Sequence, residues 1–126
     1  MILTSGALAK ICAGQDVIDP VLQVLAFRPI YGSYQERYRL CLNDGKFYNS
    51  FIMLGTHLNN LIYDREISPY SIIKVKKQVC NSVNEAKKIV VLLEVEVLKP
   101  GHEVGEKIGS PVVLHEGGFR GFTRSS

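Results

Sequence analysis

The chain has 126 residues, 46% of them hydrophobic and 21% charged, with a formal net charge of +3. That length holds one domain with a real core and not two, and the composition excludes both a disordered chain and one built to span a membrane. The charge is uneven: the windows 28–39 and 74–88 hold eight basic residues against Glu36 and Glu85, while the rest of the chain is net acidic. If the two windows meet in the fold they form a basic patch, which favours an anionic partner.

"TSGALAKIC" predicts a short helix. Thr4 or Ser5 can cap it, Leu8, Ile11 and Cys12 fall at helical spacing, and Gly14 can end it. "PVLQVLAFRPI" lies between Pro20 and Pro29, is dense in large apolar residues and reads as a strand. After a loop over residues 31–36, "RYRLCLNDGKFYNSFIML" reads as a hairpin with "NDG" as its turn. "GTHLNNLIYDREI" predicts a helix from Leu58, Leu61 and Ile62, with Thr56 as a candidate cap and Pro69 beyond its end. "YSIIKVKKQVC" is a strand whose polar face includes Lys74 and Lys76, and "KKIVVLLEVEVL" is the longest strand, apolar in its first half. Residues 116–126 are glycine-rich and read as a linker behind a folded unit over residues 1–115.

The hairpin carries the functional question. Arg37 and Arg39 are two apart and share a face, and burying two unpaired charges would cost several kcal/mol each. Their face is therefore expected to lie outside the core. A three-residue loop with Gly45 in the left-handed conformation keeps odd positions together: Arg37, Arg39 and Cys41 with Phe47, Asn49, Phe51 and Met53. The opposite face, Tyr38, Leu40 and Leu42 with Tyr48, Ser50, Ile52 and Leu54, then packs the core. A two-residue loop would swap the second set, and the sequence leaves both open.

Cys12, Cys41 and Cys80 are odd in number, widely spaced and without a CxxC, which argues for small buried hydrophobes in a reducing compartment. His57, His102 and His115 lack ligand spacing and read as surface residues. No metal cluster, phosphate-binding glycine loop or nucleophile with its base stands out, and Asp44 is accounted for by the turn. The expectation is a non-enzymatic domain without cofactor, export signal or membrane span.

Five strands, a helix between the third and fourth and a short helix in front fit an all-β oligonucleotide/oligosaccharide-binding (OB) barrel. "PVLQVLAFRPI", "RYRLCLNDG", "FIMLGTHLNNL", "KKIVVLLEVEVL" and "GEKIGSPV", in this order and spacing, resemble the N-terminal domain of the large subunit of replication protein A, the eukaryotic single-stranded-DNA-binding complex. The likeness covers roughly Thr4 to Val113; the whole series in register carries it, since no single piece is diagnostic.

The resemblance implies an OB fold used mainly for protein docking in the nucleus. Acidic amphipathic helical segments of checkpoint and repair proteins would bind a basic groove that contacts single-stranded DNA weakly. Other subunits of the complex would be reached through regions beyond this chain. Carried over by position, the groove's basic residues are Arg28, Arg37, Arg39, Lys87 and Lys88, and its floor is Phe51, Met53, Asn81, Val83 and Ile89. This chain departs from the pattern at Asn84, where a lysine is common, and at Phe51, where some members carry a small polar residue. The alternative is an OB domain whose main ligand is single-stranded DNA, against which stands the lack of tryptophan.

Overall fold

The computed structural model describes residues 2–32, 35–84 and 87–114, with the side chains of 82–88 outside that description. Its elements in chain order are α1 (Ala7–Cys12), β1 (Val21–Ile30), β2 (Arg37–Asn43), β3 (Phe47–Leu54), a 3-10 turn (Thr56–Leu58), α2 (Asn59–Tyr63), β4 (Ile72–Asn84), β5 (Lys87–Lys99), α3 (Gly101–Val104) and β6 (Val112–Val113). β1 pairs with β2 and β4, β2 with β3, and β4 with β5, all antiparallel. The parallel pairing of β3 with β5 closes the ring. This five-stranded closed barrel, with a helix in front and one after β3, is an OB fold. α3 and β6 are additions that the strand and helix patterns did not disclose. Residues 115–126, including the glycine-rich tail and His115, lie outside the described residues.

The core is built from alternate residues of every barrel strand: Leu22 and Val24, Leu40 and Leu42, Ile52 and Leu54, Ile73 and Val75, Val90 and Leu92. Each is at most 2% exposed, and full burial of such a side chain is worth about 1.5–3 kcal/mol. α1 seals one end of the core with Leu8 and Ile11, and Ile62 and Ile67 pack from the α2 side.

At six residues, α1 is too short to hold by propensity, and the expected Thr4 or Ser5 cap is absent. Gly6 takes the cap position at φ 82°, and Thr4 Oγ1 instead accepts the Val21 N–H at 2.8 Å. Asp44 of the hairpin turn does the capping from a distance. Its buried carboxylate accepts the Leu8 N–H at 2.8 Å, and also those of Lys46 and Phe47 at 2.8 and 2.7 Å. A negative group belongs at a helix start, and here it ties the helix to the barrel. Thr56 likewise supplies no cap; Gly55 precedes the 3-10 turn.

The segment after β5 is fastened by buried amides. Gln23 Nε2 donates to the Glu106 carbonyl at 2.9 Å and Asn43 Nδ2 to that of Ile108 at 2.9 Å, while Gln23 Oε1 accepts the Ile108 N–H at 2.9 Å. At Gly101 a Cβ would stand 1.9 Å from the Pro69 carbonyl oxygen, so only glycine allows the chain to pass there.

Candidate functional site

The hairpin turn corrects one expectation. Asp44 N–H donates to the Phe47 carbonyl at 3.0 Å, so Gly45 (φ 92°) and Lys46 form an even, two-residue loop. The pairing next to the turn sets Asn43 against Tyr48 and Leu42 against Asn49. Phe47 therefore packs on the core and Asn49 is buried at 2% exposure, instead of sharing the arginine face. Farther along, Leu40 pairs with Ile52 and Arg39 with Met53. A bulge absorbs the difference: Ser50 and Phe51 together face Cys41, and Phe51 and Met53 regain the arginine side.

Asn49 pins that bulge from inside. Its Oδ1 accepts the Phe51 N–H at 2.7 Å and its Nδ2 donates to the Leu114 carbonyl at 2.9 Å. The signal was present in "FYNSF", since asparagine is depleted from strand interiors. A second bulge, between Val24 and Ala26, turns Ala26 and Arg28 outward on β1.

Register then assembles the site. Arg28 stands opposite Arg39, Arg39 opposite Met53, Met53 opposite Val91, and Val91 opposite Val79. This row crosses five strands on the outer surface, cationic at the β1–β2 end and apolar beyond. Val91 and Val79 were not among the expected floor residues; the continuously apolar first half of β5 gave no face to Val91, and only the strand pairing put it beside Met53. Phe51, 42% exposed, flanks the row, and the Arg39 guanidinium carbon lies 5.7 Å from its ring centroid. Asn81 pairs with Ile89 on the same face; Asn81 is exposed and Ile89 half-buried. Arg37, opposite Ile30, is half-buried with its Nε unpartnered. The backbones of Lys87 and Lys88 pair with Asn84 and Ser82 at the start of β5; their side chains, and that of Val83, fall outside the described residues.

Like charges directly opposite repel, and among the described residues no carboxylate lies within 4 Å of Arg28 or Arg39 to relieve them. The acid of that window, Glu36, is engaged elsewhere: the Tyr63 hydroxyl donates to its carboxylate, and Asn59 Nδ2 to its carbonyl at 2.8 Å. The same bond holds the Tyr63 phenol above its ordinary pKa.

The lysines of β4 stand opposite or beside acids, which Arg28 and Arg39 do not. In the β4–β5 register Lys74 stands across from Glu96 and Lys77 from Glu94, while Lys76 Nζ lies 3.8 Å from Asp19 Oδ2. The β1–β2 arginines and the β4 lysines thus differ in what stands across from them.

Two clefts open beside the arginines. One, of about 350 Å³, is lined by Ala26, Phe27, Arg28, Arg39, Cys41 and Ser50 among others. Another, of about 630 Å³, lies between Arg28, Arg39 and the exposed Tyr31. All three cysteines are half-buried, less enclosed than expected, and Cys41 lies at the first cleft. Burial pushes the Cys12 thiol up to about 11, with Cys80 and Asp44 adding to it. Exposed His57 meets the Leu93 carbonyl through Nε2 at 2.7 Å. Among the described residues no group of three His, Cys, Asp or Glu is placed to hold a metal, and no helix is long and apolar enough to cross a membrane.

Residues 3–100 match the family described as "Replication factor-A protein 1, N-terminal domain". Among curated proteins, the "Replication protein A 70 kDa DNA-binding subunit" of Gallus gallus is 38% identical over 125 residues, covering 98% of this chain and 20% of that protein. The protein of the same name from Drosophila melanogaster is 38% identical over 114 residues, covering 87% of this chain and 19% of that protein. Its namesake in Mus musculus is 38% identical over 117 residues, covering 91% of this chain and 19% of that protein. The chain spans a fifth or less of the length of these relatives. With a family match over most of its length and an OB barrel beneath it, this chain belongs to the N-terminal domain family of the replication protein A large subunit.

Proposed function

We propose that this domain, over residues 1–115, is a docking module for acidic amphipathic helical segments. The carrying observation is the cross-strand row from Arg28 and Arg39 through Met53 and Val91 to Val79. Four strand spacings of ~4.8 Å make a track of ~19 Å, which a helix of ~13 residues spans. A helix with one apolar stripe and acidic residues flanking it matches both halves of the row.

Magnitudes divide the work. An exposed ion pair contributes ~0–1 kcal/mol, whereas fully burying a large apolar side chain contributes ~1.5–3 kcal/mol. Phe51, Met53, Val79, Val91 and Ile89 start partly covered, so each yields a fraction of that, and together they supply most of the affinity. Arg28, Arg37 and Arg39, joined by Lys87 and Lys88, set on-rate and choice of partner. A dissociation constant near 1 μM, about −8 kcal/mol, is expected. By the family resemblance, the partners are checkpoint and repair proteins in the nucleus, and the remaining subunits are met through regions beyond this chain.

A second reading makes single-stranded DNA the main ligand. The relatives' name includes DNA binding, and Phe51 and Tyr31, 42% and 87% exposed, flank Arg28 and Arg39 where bases could stack. An NMR titration with an acidic amphipathic peptide and, separately, a short oligothymidine, each at two salt concentrations, tests both. Docking predicts micromolar saturation by the peptide with shifts at Arg39, Phe51, Met53 and Val91, and weak DNA binding that salt removes. Tighter DNA binding, with no peptide shifts on that face, overturns docking in favour of the second reading.

A further inference from the structure

A polar cleft opens beside α2, away from the basic row. Gln35, Glu36, Thr56, His57, Asn59 and Tyr63 line its volume of about 510 Å³, within the ~300–1,000 Å³ typical of ligand pockets. Glu36 precedes Arg39 by three residues and Thr56 follows Met53 by three, and β2 and β3 are antiparallel. At ~3.3 Å per residue the cleft therefore stands ~10 Å along the strands from the row.

Three donors of its lining are committed to the protein itself. Asn59 Nδ2 donates to the Glu36 carbonyl at 2.8 Å, the Tyr63 hydroxyl to Glu36 Oε1, and His57 Nε2 to the Leu93 carbonyl at 2.7 Å. Acceptors are left over. Asn59 is only 9% exposed, yet its Oδ1 is buried without a hydrogen-bond partner, a state that folded proteins rarely leave unanswered. Glu36 keeps its second carboxylate oxygen, and among the described residues no cation lies within 4 Å of it. The Tyr63 ring, 56% exposed, adds a π face. We propose that this cleft is a second binding site, which takes the guanidinium group of an arginine on a partner protein.

A guanidinium carries five N–H donors in one plane, so it can serve a carboxylate and an amide oxygen while stacking on a ring. An ammonium brings a point charge without that stacking face, and an anion would meet the Glu36 carboxylate. A metal ion finds too few ligands, since Glu36 and His57 are the only His, Cys, Asp or Glu side chains in the described lining. The cleft is thus the inverse of the row: there arginines lack a carboxylate, and here a carboxylate lacks a cation.

The test is an NMR titration of the domain with acetyl-Gly-Arg-Gly-amide, and with the same peptide carrying lysine or citrulline instead. Citrulline keeps the shape of arginine and removes its charge. The arginine peptide is expected to shift the Asn59 side-chain amide, Glu36 and Tyr63, and to bind about fivefold tighter than either control. Glu36→Gln still offers an acceptor to the Tyr63 hydroxyl and is expected to erase the preference over citrulline. Tyr63→Ala removes an exposed ring and is expected to erase the preference over lysine, an independent reading should Glu36→Gln fold poorly. Equal affinity for the three peptides, shifts gathered at Glu94 and Glu96 instead, or both preferences surviving their variants overturns the site. So does an arginine peptide that shifts nothing. None of these outcomes bears on the docking reading, whose ligand is acidic and whose residues lie on the row.

Discussion

The β1–β2 arginines and the β4 lysines are both basic clusters on outward strand faces, yet their surroundings separate them. Arg28 and Arg39 face each other across a strand pair, and the nearby acid, Glu36, is turned away to Tyr63. Lys74 and Lys77 stand across the β4–β5 register from Glu96 and Glu94, and Lys76 makes a 3.8 Å ion pair with Asp19. A cation with a carboxylate as neighbour gains less from a second one, whereas opposed guanidiniums gain from the first that arrives. Counting basic residues therefore overstates the patch; what they stand against decides where an anion goes.

The strongest way to break this contrast is to undo the bulge that sets Phe51 under Arg39. Asn49→Ala removes two buried hydrogen bonds and strands the Leu114 carbonyl and the Phe51 N–H, at an expected cost of about 2–3 kcal/mol. Urea unfolding reads that loss. A neutral result would mean that the bulge holds without its internal pin.

Next in size is reversal of the arginines. Arg28→Glu combined with Arg39→Glu should weaken an acidic peptide by about 2 kcal/mol, roughly thirtyfold, at low salt. The effect should shrink as salt rises, because exposed charges are screened. Undiminished peptide affinity in that double variant removes the arginine pair from the site.

The smallest effect sharpens the comparison from the other side. Lys76→Glu with Lys77→Glu should change peptide affinity by less than about twofold, since these lysines lie among acids of their own. A loss as large as that of the arginine double variant would erase the distinction.

Much of the fold was legible from local pattern. Each of the five strands showed its apolar alternation or apolar run, and "NDG" marked the hairpin turn that Gly45 makes with φ 92°. α3 and β6 escaped notice because four- and two-residue elements carry no periodicity; buried Gln23 and Asn43, reaching the Glu106 and Ile108 carbonyls, hold the segment joining them. Of the floor, Phe51 and Met53 were placed on the arginine face, but by way of a loop of the wrong parity. The bulge at Ser50 compensated.

By itself the sequence determined which residues are apolar, where the chain turns, and that Arg37 and Arg39 could not lie in the core. Those are local matters, set by side-chain chemistry and a period of two. Tertiary structure alone decided that Val91 and Val79 continue the row from Met53, that Arg28 opposes Arg39, and that Asp44 caps a helix 36 residues away in the chain. Barrel closure and bulges fix these relations, because register is a property of strand pairs and not of any one strand.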